Sequence, residues 1–420
     1  VLVTLLLYFG LGIERDNFLT YISLYIIPLL FLMFLNLKYF LPLVLASYPF
    51  SLGLLQYELL SVTFSPYIIG MLFMLGLGVV LIAFKLTKYS YSFIDLLVVL
   101  LTFQYIATIP FQEDVLWTAY RVLHALIIPI ASYFVIKIFV NKEDQFDRCL
   151  KYFFLGIGGF ALIALANFAV TMERAHILNV PPISAATMAI IPILTIFYST
   201  YRKALYWKIV FVLSLLLLII TFPRVYFISL LLSPFLYYFV RKGYAFLLIL
   251  LMLSSTLILS ISGTVLISKD DIKMKYMAQE KYIEKEKSTE RIFNTELFKR
   301  AIVGRFVTYR DGIDHFLNEP IFGNGIFKGK LVTYHNYHIE WLAYGGLVGY
   351  LLYAAIFLCY FFKCSKAAMY DSFISANLVV ILIILLNCTT NGIMHGIMPN
   401  AMFLNIAFGL SYTNIKLESI

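Results

Sequence analysis

Arginine, histidine and asparagine residues in the polar gaps of an otherwise apolar chain are the first candidates for chemistry. Arg224 stands in "TFPRVYF" directly after Pro223, which would carry its guanidinium on a stiff turn. Arg305 follows Gly304 where a short amphipathic helix is expected to open, and the free N–H groups of a helix start favour an anion. Arg300 and Arg310 are weaker repeats of the same type. His335 and Asn336 come just before an apolar run beginning near Glu340, with His338 close behind. An imidazole that titrates near neutrality can take a proton from a hydroxyl. Guanidinium forks bind phosphate oxygens through paired charge-assisted bonds. Together these side chains would capture a phosphorylated anion and activate a hydroxyl.

Simpler roles compete with that chemistry. Arg224 would serve as an interfacial anchor, Arg305 would pair with Glu296 or Asp311, and Asn336 would cap a helix. Arg121 and His124, three residues apart, would share one helical face just inside the outer boundary of a membrane. Glu173 and Arg174 would pair with each other. Acidic doublets do not form a pattern suited to a metal diphosphate: Asp270–Asp271 is flanked by lysines, Glu113–Asp114 stands alone, and Arg15 separates Glu14 from Asp16. A site that neutralises its anion with arginines, without a metal or other cofactor, is the expectation.

The elements that must position these residues are membrane helices. The 420 residues are 62% hydrophobic and 13% charged, with a mean hydropathy of +0.89. A water-soluble chain of this length needs a larger polar shell. Apolar runs of about 18 residues recur throughout, which predicts a polytopic α-helical protein rather than the short alternating strands of a barrel. The net charge of +9 is expected beside anionic lipid in cytoplasmic loops and not on nucleic acid. Cys149, Cys359, Cys364 and Cys388 form neither a CxxC nor a Cys/His cluster, so no disulfide framework or zinc site is expected.

About 12–14 spans are predicted. They lie near residues 1–12, 19–36, 39–56, 66–86, 92–110, 117–139, 151–172, 183–200, 206–222, 225–240, 244–266, 340–362, 373–390 and 398–413. The first apolar stretch lacks the basic flank and small-residue site of a signal peptide. Basic residues such as Lys38, Lys85, Lys142, Arg148, Lys208, Arg241, Lys363 and Lys416 fall in every second connection, which predicts both termini in the cytoplasm. Residues 267–339 then form one extracytoplasmic loop or cap between a bundle over 1–266 and further spans of the same domain over 340–420. The first half of the loop mixes both charges at helical spacing and reads as a solvated or interfacial helix. Its second half, "GRFVTYRDGIDHFLNEP", reads as a short amphipathic helix stopped by Pro320, with Phe306, Tyr309, Ile313, Phe316 and Leu317 on the apolar side.

The stretch "GRFVTYRDGIDHFLNEPIFGNGIF…YHNYHIEWLAYGGLVGYLLY" resembles the O-antigen ligase/polymerase superfamily of bacterial polytopic membrane enzymes. The resemblance is carried by Arg305, the Pro320–Gly323–Gly325 turn, His335–Asn336 and the Gly345–Gly346 pair. Arg224 matches an earlier Ser-Arg-Gly motif more loosely, because Pro223 and Val225 replace its neighbours. Tyr344 stands where an acidic residue is usual. The resemblance implies a GT-C-like fold in the bacterial cytoplasmic (inner) membrane and metal-independent, inverting glycosyl transfer. The donor would be an oligosaccharide on undecaprenyl diphosphate and the acceptor a glycan or lipid, with a flippase and a chain-length regulator as partners. Arg224, Arg305 and His335 would be catalytic. Asn336, Arg310, His338, Arg121, His124, Gly323 and Gly325 would line the substrate site, the glycines letting the loop backbone approach the ligand. Polymerase is the favoured activity and ligase the alternative. A flippase of lipid-linked sugars is the reading from a different class.

Overall fold

The computed structural model describes residues 37–52, 57–59, 62–87, 89–171, 182–199, 204–221, 224–265, 308–325, 336–388 and 397–418. The spans expected near 1–12 and 19–36 lie outside these residues, as does most of the 267–339 segment. The helices are α1 (Leu37–Ser47), α2 (Pro66–Ala83), α3 (Phe93–Thr108), α4 (Val115–Val122), α5 (Ile128–Phe139), α6 (Glu143–Thr171) and α7 (Pro182–Tyr198). They continue with α8 (Leu205–Thr221), α9 (Arg224–Arg241), α10 (Ala245–Val265), α11 (308–318), α12 (Tyr337–Ala368), α13 (Ser372–Cys388) and α14 (Ile397–Glu418). Pro66–Ala83, Phe93–Phe111, Val115–Phe139, Glu143–Val170 and Tyr337–Ala368 are long and apolar enough to cross a membrane, and shorter apolar helices accompany them. The chain is a multi-pass, helical membrane protein.

Local chemistry sets where the helices start. Ser65 accepts a hydrogen bond from the Ile68 amide at 3.3 Å, with Pro66 in the first turn where its missing N–H costs nothing. Asp114, read in the sequence as half of an acidic doublet, caps α4 by accepting from the Trp117 amide at 2.9 Å. Glu143 and Asp144 favour a helix start, so α6 begins in the polar segment before the span expected from 151.

The expected span over 39–56 needs correction. α1 is 11 residues long, about 16 Å, and too short for a bilayer core. Pro49 removes an amide the helix would need, and the chain tightens into a 3₁₀ turn over Tyr48–Leu52. An antiparallel hairpin follows, β1 (Tyr57–Leu59) and β2 (Val62–Phe64), with Tyr57 opposite Phe64.

Contacts between helix termini fix the two ends of the bundle. The start of α3 meets the end of α5 through Lys137 and Asp95, 2.6 Å apart with both side chains nearly sealed. The start of α6 meets the end of α14 through Glu143 and Lys416 at 2.9 Å. The ends of α9 and α12 meet where Arg241 donates to the Ala368 carbonyl at 3.3 Å. This end carries Lys137, Arg148, Arg241, Lys366 and Lys416. The start of α9 and the Gly346 break of α12 lie toward the opposite end. α13 and α14 form the buried centre, and Tyr360 donates to Asn377 at 2.6 Å while Asn377 donates to the Asn405 carbonyl at 3.0 Å. Such bonds hold helices together where lipid removes the hydrophobic drive between them. Large apolar side chains such as Phe103 and Leu231 point outward, as a lipid-facing surface requires.

Candidate functional site

The "PIFGNGIF" turn is built into a broken membrane helix. Gly346 lies inside α12 with φ 60° and ψ −163°, a conformation that interrupts the helical ladder. In an unbroken helix the amides of Leu347 and Val348 would bond to the carbonyls of Ala343 and Tyr344. Here Leu347 N donates to Pro320 O at 2.8 Å and Val348 N to Ile321 O at 3.0 Å. The released carbonyls are taken up from the same turn: Asn324 N donates to Ala343 O at 3.1 Å and Gly325 N to Tyr344 O at 2.9 Å. The next carbonyl, Gly345 O, accepts from Gln104 Nε2 of α3. The turn therefore replaces a missing set of helical bonds, and no backbone group in the exchange is stranded in an apolar medium.

Close approach explains the glycines. Gly323 (φ 73°) and Gly325 (φ 68°) are left-handed, and a methyl on Gly323 would overlap Gly346 N and Tyr344 O. A methyl on Gly325 would lie 2.7 Å from Gln112 Nε2 and 2.9 Å from Thr108 Oγ1. Gln112 Nε2 donates to Asn324 O at 2.7 Å, and Asn324 Nδ2 donates to His315 O of α11 at 2.7 Å. These glycines bring the turn against the backbone of α12 and the end of α3.

Asn336 caps α12. Its side-chain oxygen accepts from the amides of His338 at 3.0 Å and Ile339 at 3.2 Å, and the residue is fully buried. The first turns of α12 then enter an aromatic core. Trp341 stacks on Tyr353 at 4.9 Å and meets Tyr105 of α3 edge-on at 5.1 Å. His338 is buried beside Tyr350 and Tyr353. Glu340 is fully buried in the same region.

α13 packs against both α9 and α12. The Tyr226 hydroxyl bonds Thr187 of α7, and Asn387 Nδ2 donates to Ser229 Oγ of α9 at 3.1 Å. α9 and the part of α12 after Gly346 end together and run parallel, while the part of α12 before Gly346 folds back beside Tyr350 and Tyr353.

The candidate residues are placed unevenly. Arg305 and His335 lie outside the described residues, as do Arg300, Glu296, Glu173, Arg174, Asp270 and Asp271. Arg224 opens α9, and the described side chains of that helix begin at Val225. Arg310 is half-buried in α11, which docks through Tyr309, Ile313 and Phe316, while Leu317 turns outward against expectation. Asp314 is exposed, as the amphipathic pattern anticipated. Arg121 and His124 do come together, around Tyr120: the guanidinium lies 5.8 Å and the imidazole 4.5 Å from its ring, and Arg121 also covers Trp117 at 5.0 Å. The π turn Leu123–Ile127 begins at this cluster, above Pro129. Among the described residues no three His, Cys, Asp or Glu side chains gather in a metal-holding group.

Sequence reasoning passed over Gln104, Gln112 and Glu340. Each is a polar residue in or beside an apolar run, and such residues in a membrane helix signal a buried partner. No family model matches the chain, and no curated protein or solved structure matches it.

Proposed function

We propose that the chain is a glycosyltransferase that polymerises lipid-diphosphate-linked repeat units at the outer leaflet of a bacterial cytoplasmic membrane. The observation that carries this reading is the packing of α9 and α12 against one helix, α13, with Asn387 Nδ2 of α13 donating to Ser229 Oγ near the start of α9 at 3.1 Å. Arg224 opens α9, and His335 directly precedes the Asn336 cap of α12. Helix starts carry positive dipole ends, which favour a phosphate. The motif spacing from Arg305 to Gly346 supports the same reading. By the positive-inside rule, the bundle end rich in lysine and arginine faces the cytoplasm, which turns the α9 start and the Gly346 break of α12 outward.

In this reading Arg224 and Arg305 hold the diphosphate of an undecaprenyl-linked glycan. His335, with Asn336 beside it, takes the proton of an acceptor hydroxyl. The acceptor oxygen bonds to the anomeric carbon as the bond from that carbon to the phosphate oxygen breaks, with inversion. The electron pair leaves on the carrier diphosphate, where the guanidinium groups stabilise the growing charge. No metal takes part.

The test is purified protein in liposomes with a lipid-linked repeat unit and no added metal, read as polymer on a gel. Wild type gives chains longer than one repeat, and Arg305→Ala, His335→Ala and Arg224→Lys give none, the last because a point charge cannot reproduce the guanidinium fork. Polymer from all three variants would remove the assignment. Transfer only to an added lipid acceptor would identify a ligase, and movement of the unit across the bilayer without bond formation would identify a flippase.

A further inference from the structure

At the cation-rich end, the starts of α1, α6 and α8 enclose a cleft of about 370 Å³ that the proposed glycosyl transfer does not use. Arg148 and Lys151 of α6 supply its positive charge, and Tyr39, Tyr206 and Trp207 form its walls. Each cation is held over an aromatic face. The Arg148 guanidinium lies 5.3 Å from the Tyr39 ring, and Lys151 Nζ lies 4.9 Å from the Tyr206 ring. Arg148 is fixed further by donating to the Lys38 carbonyl at 3.3 Å and to Asp144 at 3.1 Å. Lys151 has no carboxylate partner among the described residues. Asp147 also lines the cleft and offers an acceptor for hydroxyl groups.

We propose that this cleft binds the headgroup of an anionic glycerophospholipid, with the phosphate on Arg148 and Lys151 and headgroup hydroxyls on Asp147. The surface beside it points to a lipid rather than a free anion. Leu155 lies one turn below Lys151 on α6, and Leu205, Ile209 and Val212 run down the neighbouring face of α8, all exposed. α6 and α8 pack closely there, since a methyl on Gly158 would meet Val210 at 3.3 Å. These exposed side chains give acyl chains an apolar surface beside the cationic lip. Aromatic and basic side chains at this depth match the headgroup level of a bilayer. The inference requires only the membrane placement of the bundle and stands apart from the transferase reading.

The experiment measures thermal unfolding of the purified full chain in mixed micelles containing either phosphatidylglycerol or phosphatidylcholine, with native mass spectrometry of retained lipid. Phosphatidylglycerol is expected to raise Tm above the phosphatidylcholine value and to stay bound. Arg148→Gln with Lys151→Gln should abolish the difference. Lys151→Gln alone, at an exposed position, should weaken retention about tenfold. Lys366→Ala, at the same end but outside the cleft, should behave as wild type. Equal Tm in the two lipids, or an undiminished difference in the double variant, would overturn the proposal. Glycerol phosphate and inorganic phosphate should have no effect at millimolar concentration; if either reproduces the full shift, the cleft is a free-anion site and the lipid assignment fails.

Discussion

Gly323 and Gly346 are packed back to back in left-handed conformations, and each fills the space that a side chain on the other would need. An alanine at either position meets two penalties, the left-handed backbone and overlap with the opposite chain. Gly323→Ala and Gly346→Ala should each lower stability by about 2–4 kcal/mol. The double variant should lose less than the sum, because the first change already displaces the turn. Thermal unfolding in detergent checks the singles and the double. Full additivity would mean that the two glycines do not share one contact.

Much of this arrangement was legible beforehand, and one part was not. Pro320, the Gly-Asn-Gly turn and the Gly345–Gly346 pair announced special backbone on both sides of the junction, because glycine supplies left-handed residues without steric cost. Their exchange of hydrogen bonds could not be read, since it depends on which distant segment docks into a broken helix. The cap at Asn336 followed from its residue type, whereas those at Ser65 and Asp114 were not singled out, although the same local chemistry explains them. The short α1 and its hairpin did not follow, because a hydropathy window averages over Pro49 and sees only apolar residues. Glu340 was hidden for the same reason, one carboxylate inside a strongly apolar run. Contacts made between helices decided what short-range pattern left open.

Gln104 and Gln112 hold the turn from the side of α3, through Gly345 O and Asn324 O. Replacing either with Leu keeps the size but leaves a carbonyl without its donor, a loss of about 1–3 kcal/mol per site. The effect should be local. Hydrogen exchange at the amides of Asn324, Gly325, Leu347 and Val348 should speed up in both variants, while α13 and α14 keep wild-type protection. Unchanged exchange at those four amides would show that the backbone ladder holds without the glutamines.

Asp95 and Lys137 form a nearly sealed ion pair, with further hydrogen bonds to Asp95 from Tyr133 Oη at 2.6 Å and from the Ser92 amide at 2.7 Å. Lys137→Met leaves a buried carboxylate without its counter-charge and should cost about 3–5 kcal/mol. Asp95→Leu combined with Lys137→Met removes both charges and should recover a good part of that loss. Unfolding measured on the two variants decides the point. If the double variant is no more stable than Lys137→Met, the pair's value lies in its hydrogen bonds and not in charge balance.

Asn336 separates capping from chemistry, because Asp caps a helix as well as Asn does but brings a negative charge. Asn336→Ala should reduce stability by about 1 kcal/mol by freeing the amides of His338 and Ile339. Asn336→Asp should preserve the cap, so that any loss of stability comes from the buried charge beside Glu340 and not from freed amides. Under the transferase proposal the new carboxylate stands at the positive start of α12 beside the expected diphosphate, where it repels the substrate. Polymer formation by Asn336→Asp should then fall at least about tenfold at neutral pH. Wild-type polymer formation by a stable Asn336→Asp protein would place the anion elsewhere and leave α12 as a capped structural helix.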